Sequence, residues 1–157
     1  MEKIPSFTVN HLTLRPGVYI SRIDGVGSER IITYDLRITK PNTEPVMNTA
    51  EVHTIEHLGA TYLRNTKAKD SIIYFGPMGC RTGFYLIVKD SFAPEDFVRL
   101  LEETFLYISE YTGDIPGAAP EDCGNYSDQN LDMAHFYGKK FLETLRGLRN
   151  YFFIYEG

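Results

Sequence analysis

The sequence is short of several things, and each shortage closes off a class of protein. Two cysteines in 157 residues, Cys80 and Cys123, are too few for a disulfide scaffold. No apolar run reaches the ~18 residues that mark a membrane-spanning helix, so no membrane partner is expected. The opening Met-Glu-Lys-Ile-Pro-Ser has no apolar export core. A cytosolic protein is therefore expected, in which thiols serve as ligands, nucleophiles or core residues rather than as bridges. Basic residues are in deficit: 16 Lys and Arg against 21 Asp and Glu give a net charge of −5, with no basic stripe to neutralise phosphates. Nucleic acid is thus not an expected partner. Nor are the 11 tyrosines interleaved with basic residues, as a base-stacking surface would require.

What is present is an ordinary globular composition, 43% hydrophobic and 24% charged, in a chain long enough for one domain, residues 1–157, with a sizeable core. There are no repeats and no low-complexity segment. Residues 18–23 and 30–38 are rich in β-branched and aromatic side chains and read as a hairpin turning through 24–28. Asn48 or Thr49 can cap a helix running to about Asn65, with Glu51 in its first turn. Short strands are expected at 71–75 and 84–88, on either side of a Gly- and Pro-rich stretch at 76–83. A second helix starts at Pro94, with Phe97, Leu100, Leu101, Phe105 and Ile108 as its inward stripe. A third, capped by Asp128, should run through Leu148 with Met133, Phe136, Phe141, Leu142 and Leu145 inward, and residues 151–155 could add a strand. Strands mixed with three helices and joined by hairpin-length links predict an α+β fold, an antiparallel sheet covered on one face by helices.

The chemistry concentrates on the first helix, in Val52-His53-Thr54-Ile55-Glu56-His57. With His53 at zero, a helix places His57 at roughly +40° and Glu56 at roughly −60°. Two imidazoles one turn apart can ligate one metal ion, with a carboxylate beside them to move protons. The order H-x-x-E-H reverses that of the zincins. A catalytic site needs a third protein ligand and an open position, and either Cys80 or Cys123 could supply the ligand. If both did, the site would be closed and structural. An inverted-zincin peptidase, with a downstream Glu as third ligand, is a further possibility that the residues leave open. His135 on the last helix, and Met47, Met78 and Met133, read as structural.

Taken together, Ser6-Phe7 with His11, Asp35-Leu36-Arg37, His53-Thr54-Ile55-Glu56-His57, Pro77-Met78-Gly79-Cys80-Arg81-Thr82-Gly83 and Cys123-Gly124 resemble the S-ribosylhomocysteine lyase (LuxS) family, in order and over nearly the whole chain. The resemblance implies His53, His57 and Cys123 as metal ligands, one divalent ion per subunit, Fe(II) in the native form with zinc or cobalt able to substitute. It implies Cys80 and Glu56 as the acid/base pair, and Ser6, His11 and Arg37 as substrate-binding residues, with Arg37 favouring the Cys80 thiolate. It also implies a homodimer with its active sites at the interface. The implied reaction moves a carbonyl twice along the ribose of S-ribosylhomocysteine and then eliminates homocysteine. The other product, 4,5-dihydroxy-2,3-pentanedione, is the precursor of the furanone signal autoinducer-2, which links the activated methyl cycle to quorum sensing. Two positions depart from the family pattern: Gly76 stands where Ser is frequent, and Tyr74 where Asp is common.

Overall fold

Two antiparallel hairpins build the sheet in the computed structural model, which describes residues 1–90 and 92–156. The first joins β1 (Gly17–Val26) to β2 (Glu29–Arg37), and the second joins β3 (Ile72–Pro77) to β4 (Gly83–Lys89). They dock through β2 and β4, giving the order β1-β2-β4-β3 with every pair antiparallel. The α1 helix (Thr49–Leu63) connects the hairpins, and α2 (Pro94–Glu110) and α3 (Leu131–Arg146) follow the sheet.

Strand alternation assigns the two faces. Val18, Leu36 and Phe84 share one cross-strand row, and Ile20, Tyr34, Leu86 and Phe75 share the next. These rows face the helices. Leu36, Phe84 and Leu86 are fully buried, packed in one core with Ile55 and Leu58 of α1, Phe97 and Phe105 of α2, and Phe141 of α3. The opposite face carries Tyr19, Asp35, Tyr85 and Gly76 in a row, and Thr33, Ile87 and Tyr74 in the next. The expected one-sided α+β sheet is what forms. The α2 stripe also holds: Phe97, Leu100, Leu101, Phe105 and Ile108 are all buried. Each such side chain contributes roughly 1.5–3 kcal/mol by leaving water. Among the described residues no helix is long and apolar enough to cross a membrane.

Four local expectations are corrected. The strand does not stop at Asp24-Gly25 but runs on to Val26, and the hairpin turns on the two residues Gly27 and Ser28, with Gly27 at φ +62°. Glycine adopts that left-handed conformation without a Cβ penalty. Asp128 does not cap α3. Asn130 does, its side chain accepting from the Met133 N–H at 3.0 Å, while the Asp128 carbonyl serves elsewhere; the helix ends at Arg146, before Leu148. Phe136 points outward, 56% exposed, and Ala134 and Tyr137 take the buried face instead. The tail at 151–155 does not join the sheet as a strand. Its backbone meets the sheet through a bond from Ile20 N–H to the Phe153 carbonyl, at 2.7 Å, and Phe153 has φ +54°.

Candidate metal centre and substrate cavity

The α1 helix is started by Glu51, whose carboxylate accepts from the Asn48 N–H at 2.7 Å. One turn on, His53 and His57 come together with ring centroids 4.5 Å apart and planes at 85°. The loop between α2 and α3 brings Cys123 to them, with Cys123 Sγ 3.4 Å from His53 Nε2. The ligand atoms of His53, His57 and Cys123 all lie within 4.8 Å of one another, and all three residues are half-buried.

The same loop aims both imidazoles. His57 Nδ1 lies 2.8 Å from the Pro116 carbonyl, and His53 Nδ1 lies 2.9 Å from the Asp128 carbonyl. A carbonyl can only accept, so each Nδ1 carries the proton and each Nε2 is left as a ligand atom. A tetrahedral ion with usual N and S bond lengths would hold imidazole nitrogen and thiolate about 3.5 Å apart, so the observed spacing fits a metal. Cys80 is not a member of this group. The closed four-ligand site therefore does not form, and the third ligand position is taken by a thiol rather than by a downstream Glu.

Gln129 completes the surroundings of His53. Its amide lies 3.2 Å from His53 Nδ1 on one side and 2.7 Å from Thr54 Oγ1 on the other. Thr54 Oγ1 also accepts from the Asn130 N–H and sits 3.1 Å from the Ala50 carbonyl. The amide nitrogen faces His53 and the amide oxygen accepts from the Thr54 hydroxyl; turning the amide over gives every donor here an acceptor, with the Thr54 hydroxyl donating to Ala50 and the His53 proton shared between two oxygens. Glu56 is half-buried on the same helix and makes no hydrogen bond or ion pair among the described residues, so its carboxylate is available.

A second constellation forms around a cavity of about 240 Å³, lined by Ser6, His11, Arg37, Cys80, Tyr85 and Tyr155 among others. Arg37 and Tyr85 line it from the outer face of β2 and β4, and Cys80 because it sits in the turn between β3 and β4. Arg37 and Asp35, two apart on β2, face the same way and form a bidentate pair, Nη2–Oδ2 at 2.6 Å and Nε–Oδ1 at 3.1 Å, both nearly inaccessible to solvent. Burial would lower the Arg37 pKa, but the Asp35 carboxylate bonded to it outweighs this and holds it above its ordinary value. The free arm, Nη1, donates to Thr82 Oγ1 at 2.7 Å and reaches Cys80 Sγ at 3.8 Å. Thr82 Oγ1 is itself 3.1 Å from that sulfur, which is exposed. His11 Nδ1 is occupied by the Val9 carbonyl at 2.8 Å, leaving Nε2 as the acceptor of that ring.

All eight residues singled out in the sequence thus fall into two groups. His53, His57 and Cys123 gather with Glu56 alongside, and Ser6, His11, Arg37 and Cys80 share the cavity, whose lining includes none of the metal group. Sequence reasoning assigned no role to Asp35, Thr82, Gln129 and Tyr155. The Asp35-x-Arg37 spacing on a strand was a usable signal for the first. Gly76 and Tyr74 prove to be one feature rather than two: a Cβ at 76 would lie 2.0 Å from the Tyr74 hydroxyl oxygen, so the bare glycine makes room for the ring. His135 is structural as expected, bonded to the Tyr111 carbonyl at 2.6 Å.

A half-covered α+β sheet with a buried arginine-lined cavity and a His₂Cys site defines a small metalloprotein. The model of the S-Ribosylhomocysteinase (LuxS) family matches residues 4–151, and the chain belongs to that family. It is 59% identical to the S-ribosylhomocysteine lyase of Finegoldia magna over 155 residues, 99% of each chain. It is 62% identical to that of Clostridium acetobutylicum over 146 residues, 92% of each, and 48% identical to that of Porphyromonas gingivalis over the same share.

Proposed function

We propose that this chain, taken whole as one lyase domain, cleaves S-ribosylhomocysteine to homocysteine and 4,5-dihydroxy-2,3-pentanedione. The observation that carries the reading is the His₂Cys group, with both Nδ1 atoms occupied by carbonyls, in a member of this family. His53, His57 and Cys123 would hold one divalent ion, Fe(II) by family likeness, with zinc or cobalt as substitutes. Mixed imidazole and thiolate donors suit all three. When bound, such an ion supplies Lewis acidity to a sugar carbonyl, which makes the neighbouring C–H bond acidic.

The proton work falls to this chain's own side chains. Ser6, His11 and Arg37 bind the substrate in the cavity. The Cys80 sulfur removes a proton beside the carbonyl and returns it one carbon along, so that two rounds walk the carbonyl down the sugar. Arg37, fixed by Asp35, sets a permanent positive charge at that sulfur. The Glu56 carboxylate then takes the proton beside the new ketone. The C–S bond breaks by β-elimination, and the homocysteine sulfur leaves as a thiol once protonated.

The active unit is proposed to be a homodimer in the cytoplasm, its two sites at the interface. The sheet face opposite the helices supports this, with Tyr74 exposed and Ile87 half-buried on it, as does the separation of cavity and metal group, which suits half-sites contributed by two copies.

The test is thiol release from S-ribosylhomocysteine by protein loaded anaerobically with Fe(II) or Co(II). Single acid/base groups contribute about 10²–10⁴ in rate, so Cys80→Ala and Glu56→Ala should each lose that much while metal content stays at the parent level. Absence of thiol from the folded, metal-loaded parent would overturn the proposal.

A further inference from the structure

Tyr155, in the C-terminal tail, lines the substrate cavity. The family model stops at residue 151, so residues 152–156 lie beyond it. Yet this tail is anchored at two points. Phe153 is 7% exposed and packs edge-on against Tyr34 and Phe97, with ring centroids at 5.7 and 5.8 Å. Its positive φ is held there by that packing and by the bond from Ile20. Two residues on, Tyr155 stacks on Tyr19 with centroids 4.7 Å apart and planes at 11°, and its hydroxyl donates to Asp35 Oδ2 at 2.8 Å. Asp35 Oδ2 is the same oxygen that receives Arg37 Nη2. A continuous chain of contacts therefore runs from the tail through Asp35 and Arg37 to Thr82 and the Cys80 sulfur.

We propose that Tyr155 is a positioning residue for the lyase reaction: it fixes the Asp35 carboxylate, and through it aims the Arg37 guanidinium at Cys80 and the substrate cavity. The carboxylate must both hold Arg37 and stay put while nearly inaccessible to solvent, and swinging it away from Arg37 would also break its bond from Tyr155. Tyr155 is suited to the donor role. Burial, and then the Asp35 charge, push its pKa well above that of a free phenol, so it holds its proton and can donate it to Asp35. Without its hydroxyl, Asp35 would carry more uncompensated charge and Arg37 would be held less firmly. Both changes act on the Cys80 sulfur in the same direction, toward a less reactive thiol.

The inference rests on the proposed lyase reading for its kinetic consequence, but not for its chemical one. The test compares Tyr155→Phe, which keeps the ring on Tyr19, with the parent and with Ile154→Ala, an exposed neighbour in the same tail. Three things are measured: kcat and KM for thiol release, melting temperature, and the rate of Cys80 alkylation by iodoacetamide, read on the Cys80 peptide by mass spectrometry. A hydrogen bond to a charged group is worth roughly a tenfold effect. Tyr155→Phe should therefore lower kcat/KM about 5- to 20-fold and slow Cys80 alkylation about threefold or more, with melting close to the parent and Ile154→Ala unchanged. Parent-like kinetics and alkylation in Tyr155→Phe would overturn the inference, and so would an activity loss that merely follows a lowered melting temperature with alkylation unaltered. If the parent releases no thiol, the lyase reading fails, while the alkylation comparison still decides the role of Tyr155.

Discussion

Replacing Gly59 by alanine should destabilise the protein, although helix propensity alone says the reverse. Gly59 lies on α1, where the helix crosses β3. A Cβ there would sit 2.3 Å from Phe75 Cε1, 2.9 Å from Cζ and 3.0 Å from Cδ1. Carbon pairs rest at about 3.5–4.0 Å, so ring and helix must part by about 1.2 Å or more. The ring has nowhere to go: Phe75 is 5% exposed and stacked on the fully buried Phe84, with centroids 5.1 Å apart and planes at 13°. Alanine in a helix interior gains about 1 kcal/mol over glycine, whereas overpacking a rigid core costs about 1–3 kcal/mol. A triple contact on an immobile ring belongs at the upper end of that cost. The net expectation is a loss of about 1–2 kcal/mol, or roughly 3–6 °C in melting temperature for a domain of this size. Because His57 lies two residues away on the same helix, the shift should also pull its Nε2 from Cys123 and weaken metal binding. Urea unfolding of the metal-free protein gives the stability, and chelator competition gives the affinity. Adding Phe75→Leu should recover part of the loss, since the two sites are in contact. Equal or greater stability of Gly59→Ala would refute the claim that this glycine sets the helix-to-sheet distance.

Two further outcomes follow from single contacts. Gln129→Leu removes the amide between His53 and Thr54 and should weaken metal binding about 10- to 100-fold with little change in fold, as loss of an outer partner of a metal-ligating imidazole does; chelator competition with Zn(II) or Co(II) reads it. Glu44 is held below the usual carboxylate range. Its partial burial acts the other way, but hydrogen bonds from the Lys40 N–H and from Lys140, at 2.9 Å, prevail. A depressed carboxylate stabilises the fold above its unfolded pKa and ceases to as pH falls through its folded value. Lys140→Met should thus cost under about 1 kcal/mol at pH 7, since the pair is partly exposed, and the gap from the parent in urea midpoints should close as pH drops below about 4.

Local periodicity was enough for much of the site. The 3.6-residue repeat alone put His53, His57 and Glu56 on neighbouring positions of a helix, and strand alternation alone put Asp35 and Arg37 on one face, because both relations hold within a few residues whatever the rest of the chain does. The α2 stripe and the one-sided sheet were legible for the same reason. Caps and chain ends were less so. Asp128 and Asn130 are equally good caps in isolation; the helix begins at Leu131, which puts Asn130 at the cap, while the Asp128 carbonyl meets His53, 75 residues away in sequence.

The choice between Cys80 and Cys123 as third ligand lay wholly beyond local rules. The residues alone left it open, and only the likeness to a family chose Cys123. Tertiary structure decides it physically: the loop before α3 folds back on α1, delivers a thiol to His53 and two carbonyls to the imidazoles, and leaves Cys80 across the sheet's end beside Arg37. Tyr155 shows the same limit at greater range, since nothing near it in sequence marks a partner 120 residues upstream. A sequence by itself fixes which residues share a face; which faces meet is set by how the whole core packs.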